Sequence, residues 1–405
     1  MYKIDFNNPI HIHFIGIGGI SMSGLAKILL SKGFTVSGSD AHSSALTDEL
    51  IGDGCIVSVP QSAGNITNDI DLVVYTAAIH PDNPEFKAAK EAGLPMLTRA
   101  ELLGQIMTIY KNAINIAGTH GKTTTTSMVS EILLAASMDP TISVGGILNS
   151  IGGNTRVGGD RYFVAEACEY TNSFLSFNPT MNIILNVKED HLDFFKDLAD
   201  VEKSFRAFAE RVPEDGYVVA NYDDANTMTT LKGINRKVIT FGLSRDADVY
   251  AENIEYKGAN SHFDIMYKGR FFTDVTLHVP GEHSIKNALA ATAACICVGI
   301  RPSSVKYGLA GFNGAGRRFE FLGEVNGVTI ADDYAHHPTE LEATLRAAKE
   351  MDYKRVWAVF QPFTYTRTQM LLDDFARVLQ IADKVVMTEI MGSRERAEDY
   401  AVRTK

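Results

Sequence analysis

The segment AINIAGTHGKTTTTSMVSEILLAA, residues 113–136, carries the side chains whose types and spacing are best suited to chemistry. Gly118 and Gly121 allow backbone N–H groups to converge on phosphate oxygens at a helix N-terminus, and Lys122 adds a positive charge. The hydroxyl of Thr123 is a suitable ligand for Mg²⁺. The segment is two residues shorter than the usual G-x-x-x-x-G-K-[ST] motif, so it predicts a phosphate-binding loop that is not the ordinary one.

Carboxylates and a histidine follow two further predicted strands. Glu166 closes the strand YFVAEA, and Asp190 and His191 follow the strand MNIILNV. Because the carboxyl ends of parallel strands meet at one edge of a sheet, we expect these residues near Lys122 and Thr123. Taken singly, Glu166 is equally typical of a helix cap and His191 of a surface residue. Together with the loop they predict a site for Mg²⁺ and phosphate.

A second glycine-rich turn, HFIGIGGISMSGLA, lies near the N-terminus. Gly16, Gly18 and Gly19 follow a predicted strand and precede a helix, and Asp40 ends the next strand, as in dinucleotide-binding folds. The third position of that fingerprint is Ser21 rather than glycine. Binding of NAD, binding of another nucleotide diphosphate and a purely structural tight turn all remain open.

Three polar clusters follow predicted strands or turns in the last quarter of the chain. GAGRRFE contains Arg317 and Arg318, IADDYAHHPTE contains His336 and His337, and VFQPFTYTRTQ contains Arg367. Each cluster alone is typical of a solvated rim. Three of them at strand ends predict a binding face instead.

The elements that must position these residues alternate between short apolar strands and helices, which predicts an α/β fold with parallel sheets. We divide the chain into domains at 1–107, 108–312 and 313–405. The strands VTIADDY, VWAVFQP and KVVMTEI are expected in the third domain. Since a doubly wound domain normally continues after such a strand, we expect this domain to be incomplete.

Composition narrows the possible functions. The chain has 405 residues, 45% of them hydrophobic, and a formal net charge of −11, which argues against a general nucleic-acid surface. Its longest apolar run, ALAATAACICVGI, is shorter than the roughly 20 residues of a membrane helix. Neither a basic leader nor a disulfide framework is evident, so we expect a cytoplasmic protein without a membrane partner.

Two pairs of possible zinc ligands have simpler interpretations. His11 and His13 lie on one face of a strand, where packed histidines are expected. Cys295 and Cys297 lie within an alanine-rich predicted helix and have no second pair, so we expect them to act as small apolar residues.

The ordered motifs GIGGISMSG, GTHGKTTT, EDHLD, GAGRRFE, DDYAHHPTE and TRT resemble those of the ATP-dependent Mur ligases of peptidoglycan precursor synthesis. The similarity extends from about His11 to Arg396. It implies the three-domain Mur ligase architecture: an N-terminal Rossmann-like domain for the UDP-sugar, a central P-loop ATPase domain and a C-terminal Rossmann-like ligase domain, apparently truncated. The shortened loop would then be the ATP site.

The resemblance also implies roles for individual residues. It places ATP against Gly118, Thr119, His120, Gly121, Lys122, Thr123, Thr124, Asn287 and Arg317. It assigns Mg²⁺ to Thr123, Glu166 and His191, and the substrates to Gly16, Gly18, Gly19, Asp40, Tyr334 and His337. The residues expected to act in catalysis are Lys122, His191, His337 and Arg367.

The implied reaction is ATP-dependent ligation of L-alanine to the lactyl carboxylate of UDP-N-acetylmuramate through an acyl phosphate, in a monomer or homodimer. Phe363 and Thr364 replace a histidine and an arginine of the family pattern near the amino-acid site. A ligase of murein recycling that attaches a tripeptide to the same sugar remains an alternative. From other classes, a nicotinamide-dependent oxidoreductase would leave GTHGKTT unused, and a non-catalytic ATP-dependent switch would not need the third-domain clusters.

Overall fold

The computed structural model describes residues 2–76, 78–191, 194–351, 353–392 and 395–403. Its first group of elements forms a parallel sheet with the strand order β3-β2-β1-β4-β5 and helices between the strands. The elements are β1 (His11–Ile15), α1 (Ile20–Ser31), β2 (Thr35–Ser39), α2 (Ala45–Gly52), β3 (Ile56–Ser58), β4 (Leu72–Tyr75), α3 (Pro84–Glu91), β5 (Met96–Thr98) and α4 (Arg99–Met107).

The central group forms a larger sheet. Its elements are β6 (Asn112–Ala117), α5 (Lys122–Ala135), β7 (Thr141–Leu148), β8 (Gly153–Arg156), β9 (Tyr162–Glu166), β10 (Met181–Ile184), α6 (Leu198–Glu210), β11 (Tyr217–Asn221), α7 (Ala225–Leu231), β12 (Lys237–Gly242), β13 (Val249–Lys257), β14 (Asn260–Tyr267), β15 (Arg270–Leu277), α8 (Glu282–Cys297) and α9 (Pro302–Gly311). The strand order is β15-β14-β13-β12-β11-β10-β6-β9-β7-β8. The strands from β13 to β7 in this order are parallel, as predicted, and antiparallel strands extend both edges.

The last group is smaller, and its elements are β16 (Glu320–Val325), β17 (Val328–Asp332), α10 (Pro338–Glu350), β18 (Trp357–Phe360), α11 (Tyr365–Met370), α12 (Leu372–Leu379) and β19 (Lys384–Met387). Strands β18 and β19 pair in parallel, as expected. Strand β17 instead forms an antiparallel hairpin with β16, which corrects its expected place beside the other strands. Asn326 and Gly327 both have positive φ, of 51° and 76°, and an Asn-Gly pair with these angles makes a tight hairpin turn.

Helix α4 has a side-chain cap at its N-terminus, whereas the two helices that follow the glycine turns have none. Helix α4 begins with a reciprocal capping box, in which the Thr98 and Glu101 side chains each accept a backbone N–H of the other residue. Helices α1 and α5 begin after Gly19 and Gly121 with no side-chain cap. Their first N–H groups therefore have no side-chain acceptor within the described chain.

Two large apolar clusters hold these elements in place. One joins the first sheet to one face of the central sheet, and the other fills the opposite face around Ile114, Ile116 and helices α5, α8 and α9. Gly308 of α9 permits close packing on α5, because a Cβ there would lie 2.5 Å from the Ile132 Cα. The position of α5, and so of the phosphate-binding loop, is fixed by this core.

The side chains considered as zinc ligands are packed instead. His13 is buried, and its ring and that of His11 each lie 2.8 Å from the Ser37 hydroxyl. Cys295 is fully buried in α8. Among the described residues no group of three or more His, Cys, Asp or Glu side chains could hold a metal ion. Within the same ranges, no helix is both long enough and apolar enough to cross a membrane.

Candidate active site

The loop between β6 and α5 requires glycine at two positions. Gly118 has φ +143°, and Gly121, the residue before α5, has φ +88°. A Cβ on Gly118 would lie 2.8 Å from the Leu185 Cβ, and one on Gly121 would lie 2.7 Å from the Asn287 Oδ1. Any side chain would therefore be strained at both positions, and Asn287 lies directly beside the loop.

The segment after β10 holds the loop in shape. Asn186 Oδ1 accepts the His120 N–H at 2.9 Å, and Asn186 Nδ2 donates to the His120 carbonyl at 3.0 Å. The Thr119 hydroxyl accepts the Lys188 N–H at 3.0 Å. The loop is therefore preorganised by hydrogen bonds across the carboxyl ends of neighbouring strands.

Lys122 folds back over the loop. Its Nζ donates to the Gly118 carbonyl at 2.6 Å and lies 3.1 Å from the Glu169 Oε2. Burial, the largest single effect, would lower the pKa of Lys122, but Glu169, Cys168 and Glu166 together outweigh it and the pKa is raised. The ammonium therefore stays charged where a phosphate would meet the loop. Glu169 was not predicted, although it is a second carboxylate in the motif EACE after β9.

Glu166 lies at the end of β9, where its backbone pairs with Ile116 of β6. Its Oε1 accepts the Gly145 N–H at 2.5 Å. The Thr123 Cγ2 is 3.1 Å from where a Cβ on Gly146 would lie. The predicted pair Thr123 and Glu166 thus borders the same pair of adjacent glycines, Gly145 and Gly146, within β7.

The carboxylate of Asp190, in the central group of elements, contacts Arg367 of the third domain. Arg367 Nη2 lies 3.5 Å from the Asp190 Oδ1, and both side chains are mostly buried. The same oxygen accepts the His191 N–H at 2.7 Å, and the His191 ring stacks on Tyr170 at 4.7 Å. Burial would raise the pKa of Asp190, but His191 and Arg367 lower it overall. The structure therefore brings His191, which was expected near Lys122 and Thr123, together with Arg367 of the predicted third-domain binding face.

Glu340, which the sequence analysis missed, links the loop to the third domain. Its carboxylate contacts His120 at 3.1 Å, His336 at 3.6 Å and Arg318 at 3.9 Å. Burial would raise the pKa of Glu340, but hydrogen bonding to His120 and the nearby positive charges hold it well below its usual range. The signal that was available is its place on the first turn of α10.

Three cavities surround these residues. The first, of about 360 Å³, is lined by residues of the loop and of α8, including His120, Gly121, Thr124, His283, Asn287 and Arg318. The second, of about 880 Å³, is lined among others by Ser23, Thr123, Gly145, Gly146, Arg317 and Tyr334. The third, of about 470 Å³, is lined by Asp190, His191, His337, Phe363, Thr364 and Arg367 together with their neighbours.

This arrangement separates some residues that were expected together. Tyr334 lines the second cavity, whereas His337 lines the third. Arg317 lines the second cavity and not the first, where Asn287 lies, and its guanidinium stacks 5.2 Å from the Tyr334 ring centre. Arg318 lines both cavities. A single glycine turn thus supplies arginines to two cavities.

The N-terminal glycine turn has its expected place between β1 and α1. Gly16 has φ +85°, and the Asp40 Oδ2 accepts the Gly18 N–H at 2.9 Å. A Cβ on Gly18 would lie 2.9 Å from that carboxylate oxygen. Asp40 therefore shapes the turn, while Gly16, Gly18, Gly19 and Asp40 line none of the three cavities.

His337 combines a structural hydrogen bond with a shifted pKa. Its Nδ1 accepts the Thr339 N–H at 3.3 Å and so caps α10. Burial, with a smaller effect of His120, lowers the pKa of His337 from 6.5 to about 4. The ring is therefore neutral near pH 7, and because Nδ1 is the acceptor, Nε2 carries the proton.

We expect this pKa to make stability depend on pH. Between pH 6.5 and 4 the unfolded chain binds a proton at His337 that the folded chain does not, so stability is lost as pH falls. The full contribution is about 3 kcal/mol. Unfolding free energies at pH 7.5, 5.5 and 4.5 should therefore fall more steeply for the native chain than for His337→Asn, which keeps a helix cap without titrating. Parallel curves would contradict the assignment.

Comparisons with known proteins agree with this geometry. Family models match for the Mur ligase family catalytic domain at residues 11–111, the Mur ligase middle domain at 116–295 and the Mur ligase glutamate ligase domain at 317–404. The UDP-N-acetylmuramate–L-alanine ligase of Lachnospira eligens is 69% identical over 397 residues, which cover 98% of this chain and 86% of that protein. The enzyme of the same name from Acetivibrio thermocellus is 51% identical and covers 97% of this chain and 84% of its own length.

Solved structures show the same relationship. The crystal structure of UDP-N-acetylmuramate-alanine ligase from Thermotoga maritima superposes with a TM-score of 0.78 at 32% identity, covering 95% of this chain and 86% of that one. A murein peptide ligase from Psychrobacter arcticus has a TM-score of 0.74 at 26% identity, covering 93% and 84%. The family matches and the shared architecture agree, and the chain belongs to the Mur ligase family.

Proposed function

We propose that this chain joins L-alanine to the lactyl carboxylate of UDP-N-acetylmuramate while ATP is converted to ADP and phosphate. The observation that carries the proposal is the meeting of two domains around one loop. Lys122 and Thr123 begin the helix that follows the phosphate-binding loop, and the ring of His337, from the third domain, lies 5.0 Å from the ring of His120 in that loop. Arg367 reaches Asp190 of the central domain, and Glu340 reaches His120 of the loop itself. The same substrates are named for the curated relatives.

ATP fits the loop and the first cavity. The uncapped N–H groups of α5 and the Lys122 ammonium suit its phosphates, while Asn287 and the cavity beside Gly121 suit its base. Residues 108–312 would then be the nucleotide domain, 1–107 the sugar-nucleotide domain and 313–405 the amino-acid domain. We include a cytoplasmic location in the proposal, because the reaction consumes ATP and the four cysteines are free thiols.

The residues around the two glycines of β7, Gly145 and Gly146, fit Mg²⁺. Thr123 offers a hydroxyl and Glu166 a carboxylate at one edge of the sheet, and Mg²⁺ in phosphate sites commonly takes one or two protein oxygens. Bound there, Mg²⁺ would neutralise charge on the phosphates of ATP. His191 lines a different cavity from Thr123, and beside it Asp190 offers the oxygen ligand that Mg²⁺ prefers.

The chemistry needs an activated carboxylate, because a free carboxylate does not react with an amine in water. A carboxylate oxygen attacks the γ-phosphorus and ADP leaves. The amine then attacks the acyl carbon, inorganic phosphate leaves, and the amine loses a proton. Lys122 and Arg367 stabilise negative charge in these steps by position and electrostatics. His337 contributes a hydrogen-bond donor at Nε2 rather than a base, because its Nδ1 accepts the helix N–H.

An isotope experiment tests the acyl phosphate. With ¹⁸O in the lactyl carboxylate of UDP-N-acetylmuramate, one labelled oxygen should appear in the released phosphate, measured by mass spectrometry. Direct amide formation without phosphorylation of that carboxylate would leave the phosphate unlabelled.

A panel of amines tests the substrate. ADP release with L-alanine should exceed that with glycine, L-serine or the tripeptide of the recycling ligases. Phe363 and Thr364 line the third cavity, and we expect them to influence this preference most directly. Faster turnover with the tripeptide would leave the mechanism intact and assign the chain to murein recycling.

A further inference from the structure

The carboxylate of Glu340 is shared between two domains. Glu340 lies in the first turn of α10, and its Oε2 accepts the backbone N–H of His336, just before that helix, at 3.2 Å. Its Oε1 lies 3.1 Å from the Nδ1 of His120, in the loop of the central domain. The side chains of Glu340 and His120 are both mostly buried, with 13% and 14% of their surface exposed. One oxygen therefore serves the start of its own helix, and the other reaches the phosphate-binding loop.

His120 is held to the central domain by its backbone and to the third domain by its ring. Asn186 accepts the His120 N–H and donates to the His120 carbonyl. The imidazole ring instead contacts Glu340 and lies 5.0 Å from the ring of His337. Because the pKa of Glu340 is held well below its usual range, its carboxylate only accepts hydrogen bonds near pH 7, and the His120 Nδ1 therefore carries a proton.

The other nitrogen of this ring does not explain its position. The His120 Nε2 is buried, and no hydrogen-bond partner for it lies within the part of the chain that the structure describes. A buried polar atom without a partner opposes burial of the ring, so the contact at Nδ1 has to compensate for it. Among the described residues, the Glu340 carboxylate thus makes the hydrogen bond that keeps the His120 ring between the two domains.

The first cavity is built from both domains at this contact. The loop contributes His120 and Gly121 to its lining, and α10 contributes Thr339, Glu340, Ala343 and Thr344. A nucleotide in this cavity is therefore enclosed fully only while α10 is docked on the loop. The ion pair between Glu340 and His120 lies at the point where that docking occurs.

We propose that Glu340 is a positioning residue: through His120 it holds the phosphate-binding loop, and so it couples docking of the third domain to binding of ATP. The choice of ATP as the nucleotide rests on the proposed function. A ligand that contacts both the loop and α10 favours the docked arrangement, and by linkage the docked arrangement favours the ligand by the same factor.

Binding measurements on the full chain test this coupling without requiring ligation. We expect Glu340→Gln to weaken ATP at least about fivefold in calorimetric Kd, the lower end of the usual range for such coupling. The Kd of UDP-N-acetylmuramate should be unchanged. ATP should slow hydrogen exchange of the α10 amides in the native chain, and it should do so less in Glu340→Gln. The matched control is Glu342→Gln on the same helix, because Glu342 pairs only with Arg346 and Arg377 of its own domain and its loss should leave the ATP Kd unchanged.

A double-mutant cycle separates positioning from a purely structural role. If Glu340 acts through the His120 ring, Glu340→Gln should weaken ATP no further in a chain that already carries His120→Ala. A glutamate that only stabilises the start of α10 would lower the stability equally with and without His120, and its effect on the ATP Kd would add to that of His120→Ala. Additive losses would therefore overturn the proposal.

The remaining outcomes are equally decisive. Equal ATP affinity in the native chain and Glu340→Gln would overturn the coupling and leave the proposed ligation intact. A native chain that binds no ATP would overturn the proposed function and the coupling with it. If Glu340→Gln does not fold, Glu340→Asp decides: it keeps a carboxylate in the first turn of α10 but draws it back from His120, so native ATP affinity in that variant would contradict the proposal.

Discussion

Replacing Lys122 by alanine should lower ATP turnover by roughly 10²- to 10³-fold, since a preorganised charge aimed at the transferring phosphoryl group contributes on that scale. The Nζ already lies over the loop, 2.6 Å from the Gly118 carbonyl. ADP release under saturating substrates measures the effect. UDP-sugar affinity should stay within about twofold, because Lys122 belongs to the central sheet and the N-terminal turn to another.

The control for this prediction is Lys306→Ala. Lys306 forms an ion pair with Asp274 at 2.8 Å on a partly exposed surface. Removing this side chain should therefore lower the stability only slightly and leave ATP turnover unchanged. Glu169→Gln is a useful second variant. It removes the negative charge that contributes most to raising the Lys122 pKa, and it keeps an oxygen that can accept a hydrogen bond from the Lys122 ammonium. A comparable loss of UDP-sugar affinity in Lys122→Ala would contradict the division of labour between the two glycine turns.

Replacing Glu166 by glutamine should raise the Mg²⁺ concentration needed for half-maximal turnover at least about tenfold, the usual scale for a weakened metal site. Glutamine keeps an oxygen that can accept the Gly145 N–H, so this part of strand β7 should be preserved and only the negative charge lost. Initial rates across a Mg²⁺ titration, at fixed total ATP, measure the shift. Thermal unfolding without nucleotide should be nearly unchanged.

Recovery at high Mg²⁺ separates a metal ligand from a structural residue. If Glu166 serves only to hold Gly145 of strand β7 in place, excess Mg²⁺ will not restore turnover and the apparent Mg²⁺ requirement will stay at its native value. The same titration on His191→Ala shows whether that side chain belongs to the metal site or acts only beside Asp190. Equal shifts in both variants would indicate one shared site, although His191 lines the third cavity and Glu166 contacts Gly145, which lines the second.

The Asp190–Arg367 and His120–Glu340 contacts show why part of the site was not predictable. His191 was expected at the sheet edge beside the loop because strand ends converge, and Arg367 was expected in a binding face of the third domain. The structure joins the two through Asp190. The only sequence signal for Glu340 is its place in the first turn of a helix, where glutamate is common for structural reasons, so it did not indicate a functional contact. Only the docking of α10 on the loop turns it into a contact between domains.

The antiparallel hairpin of β16 and β17 has a different cause. The signal for it, the Asn-Gly pair at residues 326 and 327, was present in the sequence, but the strand VTIADDY was assigned to a parallel sheet by analogy with its neighbours. The antiparallel strands β14 and β15 at the edge of the central sheet were likewise not predicted. Strand existence follows from local patterns, whereas pairing depends on partners that are distant in the chain.

The sequence by itself determined the local chemistry of this protein. The glycine spacing around Lys122, the alternation of strands and helices, and the position of Glu166 and His191 after strands all follow from backbone geometry and short-range periodicity. Tertiary structure alone decided which side chains meet. It separated Tyr334 from His337 and brought Glu340 of the third domain against His120 of the loop, because burial and charge pairing are set by the packing of elements far apart in sequence.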